Sequence, residues 1–250
     1  MRNAVALLII TLLLSLNLVS AQTIWNSGFE TWIAMPPEGE HPEGWSTSNS
    51  SILGGDSAVS KSLDAYSGFY AAELRTLNLG FAGLPYAASL VLGTTNGGLL
   101  SQGIPMNILP VAISGYYKYV SNDSLDSAHV IVILKKYNVL TSQRDTIGLA
   151  VVKLGFSLNY TKFTIEIDEL LSGIAPDSIV IAFYSSDPEN AWNNMYFGGQ
   201  LLIDELSLET VVGMEDMLGH SLSVHPNPTT SRILLGNLPA ESSDVFIYDV

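Results

Sequence analysis

Asp204 is a carboxylate at a position in the sequence where a charge needs a partner. It lies in residues 201–210, whose apolar and polar side chains alternate as they do in a β-strand. The alternation places Asp204 on the same face as Leu202, Leu206 and Leu208, and we expect this face to point into the core. Burial of an unpaired charge is costly, and no Lys or Arg lies nearby in the sequence. The partner of Asp204 is therefore a distant base, a set of backbone amides or a bound cation.

A second carboxylate, Glu30, would complete a calcium site with Asp204. A β-sandwich that brings its first and last strands together would place these two side chains close to each other. Calcium takes six to eight oxygen ligands, and backbone carbonyls near Asn26 and Phe29 would add to the two carboxylates. In the competing hypothesis, Glu30 caps a turn and Asp204 accepts amide hydrogen bonds or pairs with an Arg. Under either hypothesis the role of the two carboxylates is structural.

Aromatic residues beside polar side chains are candidates for carbohydrate binding. Sugar rings stack on aromatic faces, while their hydroxyls need hydrogen-bond donors and acceptors. The segment Asn190–Tyr196 contains two aromatic residues and three amides in a stretch that is typical of a loop. Most aromatic side chains fill the core of a protein, so each candidate must be weighed against burial. The candidate ligand-binding residues are Trp45, Tyr117, Trp192 and Tyr196.

Catalytic patterns are absent from the sequence. The four histidines are scattered without metal-ligand spacing, and there is no Gly-x-Ser-x-Gly elbow, no His-Glu-x-x-His and no P-loop. The acidic run 166–169 lacks the spacing of a glycosidase carboxylate pair. The absence of cysteine excludes thiol chemistry and zinc fingers. We therefore expect a binding or structural protein, with a glycan-degrading enzyme as a weaker alternative.

The beginning of the chain predicts export. Residues 1–21 contain Arg2, an apolar run and small residues at Val19-Ser20-Ala21, which is typical of a signal peptide cleaved before Gln22. The formal charge of −14 becomes −15 without Arg2, and such an acidic surface disfavours nucleic acids and anionic membranes as partners. No later segment is long and apolar enough to span a bilayer.

Short β-strand patterns between turns occupy most of the remaining chain and predict an all-β sandwich or barrel. The fully apolar run Val130–Leu134 predicts a strand that is buried on both faces. The turn 122–124, between two such patterns, predicts a β-hairpin. The alternation ends at Thr210, so we predict a first domain over 22–210, a linker over 211–218 and the first strands of a second domain over 219–250.

The first domain resembles the carbohydrate metabolism domain family of secreted bacterial proteins, whose fold is similar to the jelly-roll β-sandwich of carbohydrate-binding modules. The resemblance implies a structural calcium held by Glu30 and Asp204, because related modules bind calcium between their opening and closing strands. Its residues are Asn26-Ser27-Gly28-Phe29-Glu30, Gly44-Trp45, Gly115-Tyr116-Tyr117-Lys118-Tyr119, Asp126-Ser127-Ala128, Asp145-Thr146-Ile147-Gly148, Pro176-Asp177-Ser178-Ile179, Ser185-Ser186 and Ile203-Asp204-Glu205-Leu206.

The second domain resembles the beginning of the C-terminal sorting domain of type IX secretion cargo. The matching residues are Val224-His225-Pro226-Asn227-Pro228-Thr229, Ile233-Leu234-Leu235 and Val245-Phe246-Ile247-Tyr248-Asp249. The family continues beyond its Tyr-Asp strand, and that continuation is missing here. The resemblance implies a small Ig-like β-sandwich, export by the type IX machinery of a Gram-negative bacterium, and a location on the cell surface or outside the cell.

Together these patterns predict an exported glycan-binding module that is stabilised by calcium. The alternative is a structural or adhesive surface protein without a sugar ligand.

Overall fold

The computed structural model describes residues 23–50, 56–79, 83–96, 99–100, 102–171, 174–188, 191–194, 196–210, 223–225 and 234–236. The chain forms two compact units, residues 1–210 and 211–250. The predicted signal peptide (1–21) and linker (211–218) lie outside the described residues. In the described parts of the chain, no helix is long and apolar enough to cross a membrane.

The described residues are almost entirely β, with one short helix among them, α1 (Ala191–Asn194). The strands are β1 (Trp32–Ala34), β2 (Glu40–Pro42), β3 (Ser46–Thr47), β4 (Val59–Ser62), β5 (Ala71–Arg75), β6 (Leu77–Leu79), β7 (Leu84–Tyr86), β8 (Ser89–Leu92), β9 (Thr95–Asn96), β10 (Leu99–Leu100), β11 (Ile104–Pro105), β12 (Pro110–Val120), β13 (Ala128–Asn138), β14 (Gln143–Leu154), β15 (Ser157–Glu166), β16 (Asp168–Glu169), β17 (Ser178–Tyr184), β18 (Gln200–Thr210), β19 (Ser223–His225) and β20 (Leu234–Gly236).

Two antiparallel sheets form a jelly-roll sandwich in the first unit, as predicted. One sheet has the strand order β16-β14-β13-β17-β8-β3, with β11 also paired to β17, and we call it sheet I. The other has the order β15-β12-β18-β5-β4, and we call it sheet II. Short hairpins join β1 to β2, β6 to β7 and β9 to β10. In the second unit, β19 pairs with β20 in an antiparallel manner.

The core lies between the two sheets and follows the alternation of their strands. Val130 and Val132 of β13 face the core, whereas Ile131 and Ile133 pack into a smaller apolar cluster on the outer face of sheet I. The prediction of burial on both faces of the run 130–134 is therefore confirmed for the inner face only, because Ile131 and Ile133 on the outer face are half-buried.

The predicted hairpin at residues 122–124 is wrong. The strands on its two sides, β12 and β13, belong to different sheets, so this turn carries the chain from sheet II to sheet I. A run of turn residues between two strands predicts a reversal of the chain, but it does not determine whether the two strands pair.

A buried network of hydrogen bonds fixes this crossing, and Asp126 is its centre. Its Oδ2 accepts hydrogen bonds from the hydroxyls of Tyr119 at 2.9 Å and Ser121 at 3.1 Å. Its Oδ1 accepts from the Ser127 amide at 2.9 Å and the Ser186 hydroxyl at 2.6 Å. Asp126 is only 6% exposed, and four donors offset the cost of burying its charge.

The predicted core face of β18 is right for Leu206 and Leu208 but wrong for Leu202 and Asp204, because the strand contains a bulge. The pairing of β18 with β12 shifts register between Ser114 and Tyr116, and Glu205 has φ of +51°. The bulge reverses the alternation, so Leu201 and Ile203 face the core before it and Leu206 faces the core after it. Asp204 consequently lies on the outer face of sheet II.

Candidate functional site

A groove on the outer face of sheet I is a candidate binding site. Its floor includes Val91 of β8 and Tyr184 of β17, and its walls include Tyr86 and Thr95. Its volume is about 440 Å³, within the range of roughly 300–1,000 Å³ that is usual for ligand pockets. The hydroxyl-bearing residues Ser46, Thr47, Ser48 and Ser89 complete much of the lining.

Hydrogen bonds hold the walls of the groove in place. The Tyr86 hydroxyl donates to the Ser48 carbonyl at 2.7 Å, and the Ser89 amide donates to Ser48 Oγ at 2.9 Å. The Ser46 hydroxyl donates to the Gly93 carbonyl at 2.8 Å. These contacts connect edge strand β3 to β8 and to the turn after it, so the groove is formed before a ligand arrives.

Tyr184 offers both an apolar ring and a polar hydroxyl to the groove. Its ring packs beside Val91 and Ala182 in the outer cluster, and burial raises the pKa of its hydroxyl. The hydroxyl is therefore neutral at physiological pH and can donate or accept a hydrogen bond. None of the described residues that line the groove carries a charge. This combination suits an uncharged, hydroxyl-rich ligand.

Two of the candidate aromatic residues predicted from the sequence, Trp45 and Tyr196, are buried and do not line this groove. Trp45 is 5% exposed and packs between Phe29 and Phe183, with ring centroids at 5.3 and 6.3 Å. Tyr196 is 9% exposed. The burial of both rings stabilises the core, because each would lose favourable apolar contacts if it turned outward.

Tyr117 and Trp192 occupy different surroundings. Tyr117 is half-buried on the core side of sheet II, where its ring meets the Phe163 ring edge-to-face at 6.1 Å. Trp192 lies in α1, which contacts β7, the strand that carries Tyr86 of the groove. The side chain of Trp192 lies outside the described part of the structure.

Sequence reasoning did not select Tyr86 and Tyr184, although one signal pointed to Tyr184. In β17, Ile179, Ile181 and Phe183 share the core face. Strand alternation therefore directs Tyr184 to the opposite face. No comparable signal identifies Tyr86, whose position depends on how the short strand β7 packs.

The carboxylates of Glu30 and Asp204 both hold one loop, residues 64–70. Asp204 Oδ2 accepts hydrogen bonds from the amides of Tyr66 at 2.8 Å and Ser67 at 3.1 Å. Glu30 Oε1 accepts from the amides of Phe69 at 2.8 Å and Tyr70 at 3.2 Å. The beginning of the domain, its last strand and this loop are thus joined through two carboxylates. We call this arrangement the loop clasp.

The charge of Asp204 is not fully compensated by these contacts. Asp204 is fully buried, and its Oδ1 also accepts the Glu205 amide at 2.8 Å. Burial raises the pKa of Asp204, and the nearby Glu205 carboxylate raises it further, whereas the amides of Ser67, Tyr66 and Glu205 lower it. The net direction is upward, so a positive charge at this place would stabilise the ionised form.

The loop clasp fits a calcium ion only in part. Both amide bonds to Glu30 end on Oε1, which leaves Oε2 for another partner. Within the described ranges, however, no group of three acidic, histidine or cysteine side chains is arranged to hold a metal. A calcium ion at the clasp would thus take most of its oxygens from backbone carbonyls and water.

The comparison with solved structures finds similarity to proteins of several kinds. The chain is similar to a protein of Bacteroides thetaiotaomicron that is provisionally described as a glycoside hydrolase, with a TM-score of 0.60 and 20% identity over 76% of this chain and 71% of that one. The similarity to a family 61 carbohydrate-binding module in complex with β-1,4-galactotriose has a TM-score of 0.42 and 13% identity, over 76% of this chain and 99% of that one. The similarity to the K2 cleaved adhesin domain of Lys-gingipain has a TM-score of 0.38 and 15% identity, over 76% of this chain and 99% of that one.

The first of these similarities establishes the fold, and at these identities none of them establishes more. No protein-family model matches the sequence, and no curated protein matches it either.

Proposed function

We propose that the first unit is a glycan-binding module and that the groove on sheet I is its binding site. The observation that carries this proposal is the neutral lining of the groove, in which two tyrosines stand among serine and threonine hydroxyls. A sugar presents apolar C–H faces and a dense set of hydroxyls, and this lining offers partners for both.

The position of α1 supports the same proposal. The helix contacts β7 beside the groove, so the amide-rich segment 190–194 is close enough to take part in ligand binding. The fold also supports the proposal, since a jelly roll can present such a groove on the face of one sheet.

Export and surface sorting form the second part of the proposal. The sequence patterns at 1–21 and 219–250 support secretion by a type IX pathway to the surface of a Gram-negative bacterium or beyond it.

A structural calcium at the loop clasp is the third part of the proposal. It is supported by the two carboxylates that accept hydrogen bonds from the same loop and by the uncompensated charge of Asp204.

A glycan array and pull-down on insoluble polysaccharides test the binding function. The wild-type chain should bind at least one neutral glycan, and Tyr184→Ala should lose that binding because it removes the floor of the groove. Tyr137→Ala is the matched control, since it removes a half-exposed tyrosine outside the groove. Failure of the wild type to bind any glycan would refute the proposal and favour the structural or adhesive alternative.

A further inference from the structure

A row of side chains leads from the groove across sheet I to its far side. Ser89, Tyr184, His129 and Lys153 lie directly opposite one another on β8, β17, β13 and β14. Residues that are paired in this way point to the same face, so all four side chains lie on the outer face. Three strand spacings of about 4.8 Å separate Ser89 from Lys153 by roughly 14 Å. Ser89 and Tyr184 line the groove at one end of this row.

The other end of the row opens into a second cavity. Lys153 lines it together with Phe156 and the turn 121–127. The volume of this cavity, which we call the rim cavity, is about 590 Å³. Phe156 is 69% exposed, which leaves much of its ring accessible.

The polar groups of the rim cavity are suited to sugar hydroxyls. Lys153 is a donor whose side chain is 68% exposed, and Asn122, Ser124 and Asp123 add amide, hydroxyl and carboxylate groups. Asp123 Oδ1 accepts the Leu125 amide at 2.8 Å, which fixes the carboxylate within the turn. The buried Asp126 network holds the same turn from below. The cavity is therefore built on a rigid support.

Asp187 contacts two residues of the row between the two cavities, His129 and Lys153. Its Oδ2 lies 3.7 Å from His129 Nε2 and 3.8 Å from Lys153 Nζ, and its side chain is 10% exposed. It directly precedes Pro188, which lines the groove. A second, apolar row lies beside the first and consists of Val91, Ala182, Ile131 and Val151. Val91 at the groove is 1% exposed and Val151 at the other end is 56% exposed.

We propose that a glycan chain bound in the groove continues over Asp187 and the buried His129 of this row into the rim cavity, where Phe156, Lys153 and Asp123 form a second sugar subsite. The proposal rests on the glycan-binding function proposed above and adds to it that the ligand is an extended chain. A sugar in the rim cavity stacks on Phe156, while its hydroxyls accept from Lys153 and donate to Asp123.

Titration calorimetry with oligosaccharides of increasing length tests this proposal on the full chain. The ligands are cello-, xylo-, manno- and galacto-oligosaccharides of two, four and six residues. For the series that binds, the hexasaccharide should bind at least about tenfold more tightly than the disaccharide. Phe156→Ala and Lys153→Gln should each weaken hexasaccharide binding about tenfold, as expected for one lost charged hydrogen bond or its equivalent in stacking. Neither change should alter disaccharide binding.

Leu140→Ala provides the matched control, because Leu140 is 92% exposed and lies at the β13–β14 turn, the opposite end of sheet I from Lys153. Circular dichroism confirms that each variant is folded. Binding that is independent of chain length, or hexasaccharide binding that is unchanged in both rim variants, would overturn the second subsite while the groove stands. The absence of binding by every oligosaccharide would overturn the proposed function and the subsite together.

Discussion

Tyr119→Phe should lower the free energy of unfolding of the first unit by about 1.5–3 kcal/mol, the usual value of a hydrogen bond to a charged group. Tyr119 is 1% exposed, and its hydroxyl donates to Asp126 Oδ2 at 2.9 Å. Phenylalanine fills the same space, so no cavity adds to the loss. Asp126 keeps three other donors, which is why the loss does not approach the cost of an unpaired buried charge. For a unit of this size, we expect the melting temperature to fall by about 3–12 °C.

Tryptophan fluorescence during urea or thermal unfolding measures this loss. All four tryptophans belong to the first unit, so the signal does not report on residues 211–250. Tyr137→Phe is the matched control, because it removes the hydroxyl from a tyrosine that is 46% exposed. If Tyr119→Phe and Tyr137→Phe both unfold within about 0.5 kcal/mol of the wild type, the hydrogen-bond network does not stabilise the crossing between the sheets.

Two further predictions concern carboxylates. Calcium at about 100 times its dissociation constant should raise the free energy of unfolding of the wild type by about 2.7 kcal/mol and should not raise that of Asp204→Asn. Glu166→Gln, which changes an exposed carboxylate, is the control and should respond to calcium as the wild type does. Equal melting of the wild type with and without calcium would exclude a calcium site at the loop clasp. Burial acts to raise the pKa of Asp177, but the Tyr137 amide, the Ser178 hydroxyl, Arg144 and Lys136 together hold it below its ordinary value of 3.8. Ionised Asp177 therefore stabilises the fold above pH 3.8, and this contribution disappears as the pH falls through the folded-state pKa. The stability difference between the wild type and Asp177→Asn should thus shrink in acid, and a difference that stays constant from pH 7 to pH 2.5 would contradict the assignment.

The strands of the sandwich could be predicted from the sequence because their hydrophobic pattern is local. β18 agrees with its predicted run to within one residue, and β13 contains the predicted apolar run 130–134 and extends beyond it at both ends. The bulge at Glu205 could not be predicted in this way. A single extra residue reverses every later side chain, and Glu205 is not a residue type that marks positive φ.

The candidate site was harder to predict because it depends on which strands become neighbours. Tyr86 and Tyr184 come together only when β8 and β17 pair and the short strand β7 folds beside them. Trp45 was wrongly predicted to be a surface residue. Its sequence surroundings of Pro, Gly and Ser are typical of a loop, yet its ring packs in the core. In contrast, the approach of Glu30 and Asp204 to a common loop agrees with the expectation that the two ends of the domain meet.

The place of β18 in sheet II sets the order in which the first unit can be completed. This strand is the last of the unit in sequence, yet it lies between β12 and β5, near the middle of the sheet. A ribosome releases the chain from its N-terminus, so β12 and β5 have no shared neighbour until residues 200–210 have emerged. Sheet II therefore closes late and through long-range pairing, which is slow. Any fragment that stops short of residue 200 would expose two unpaired strand edges, and such edges favour aggregation.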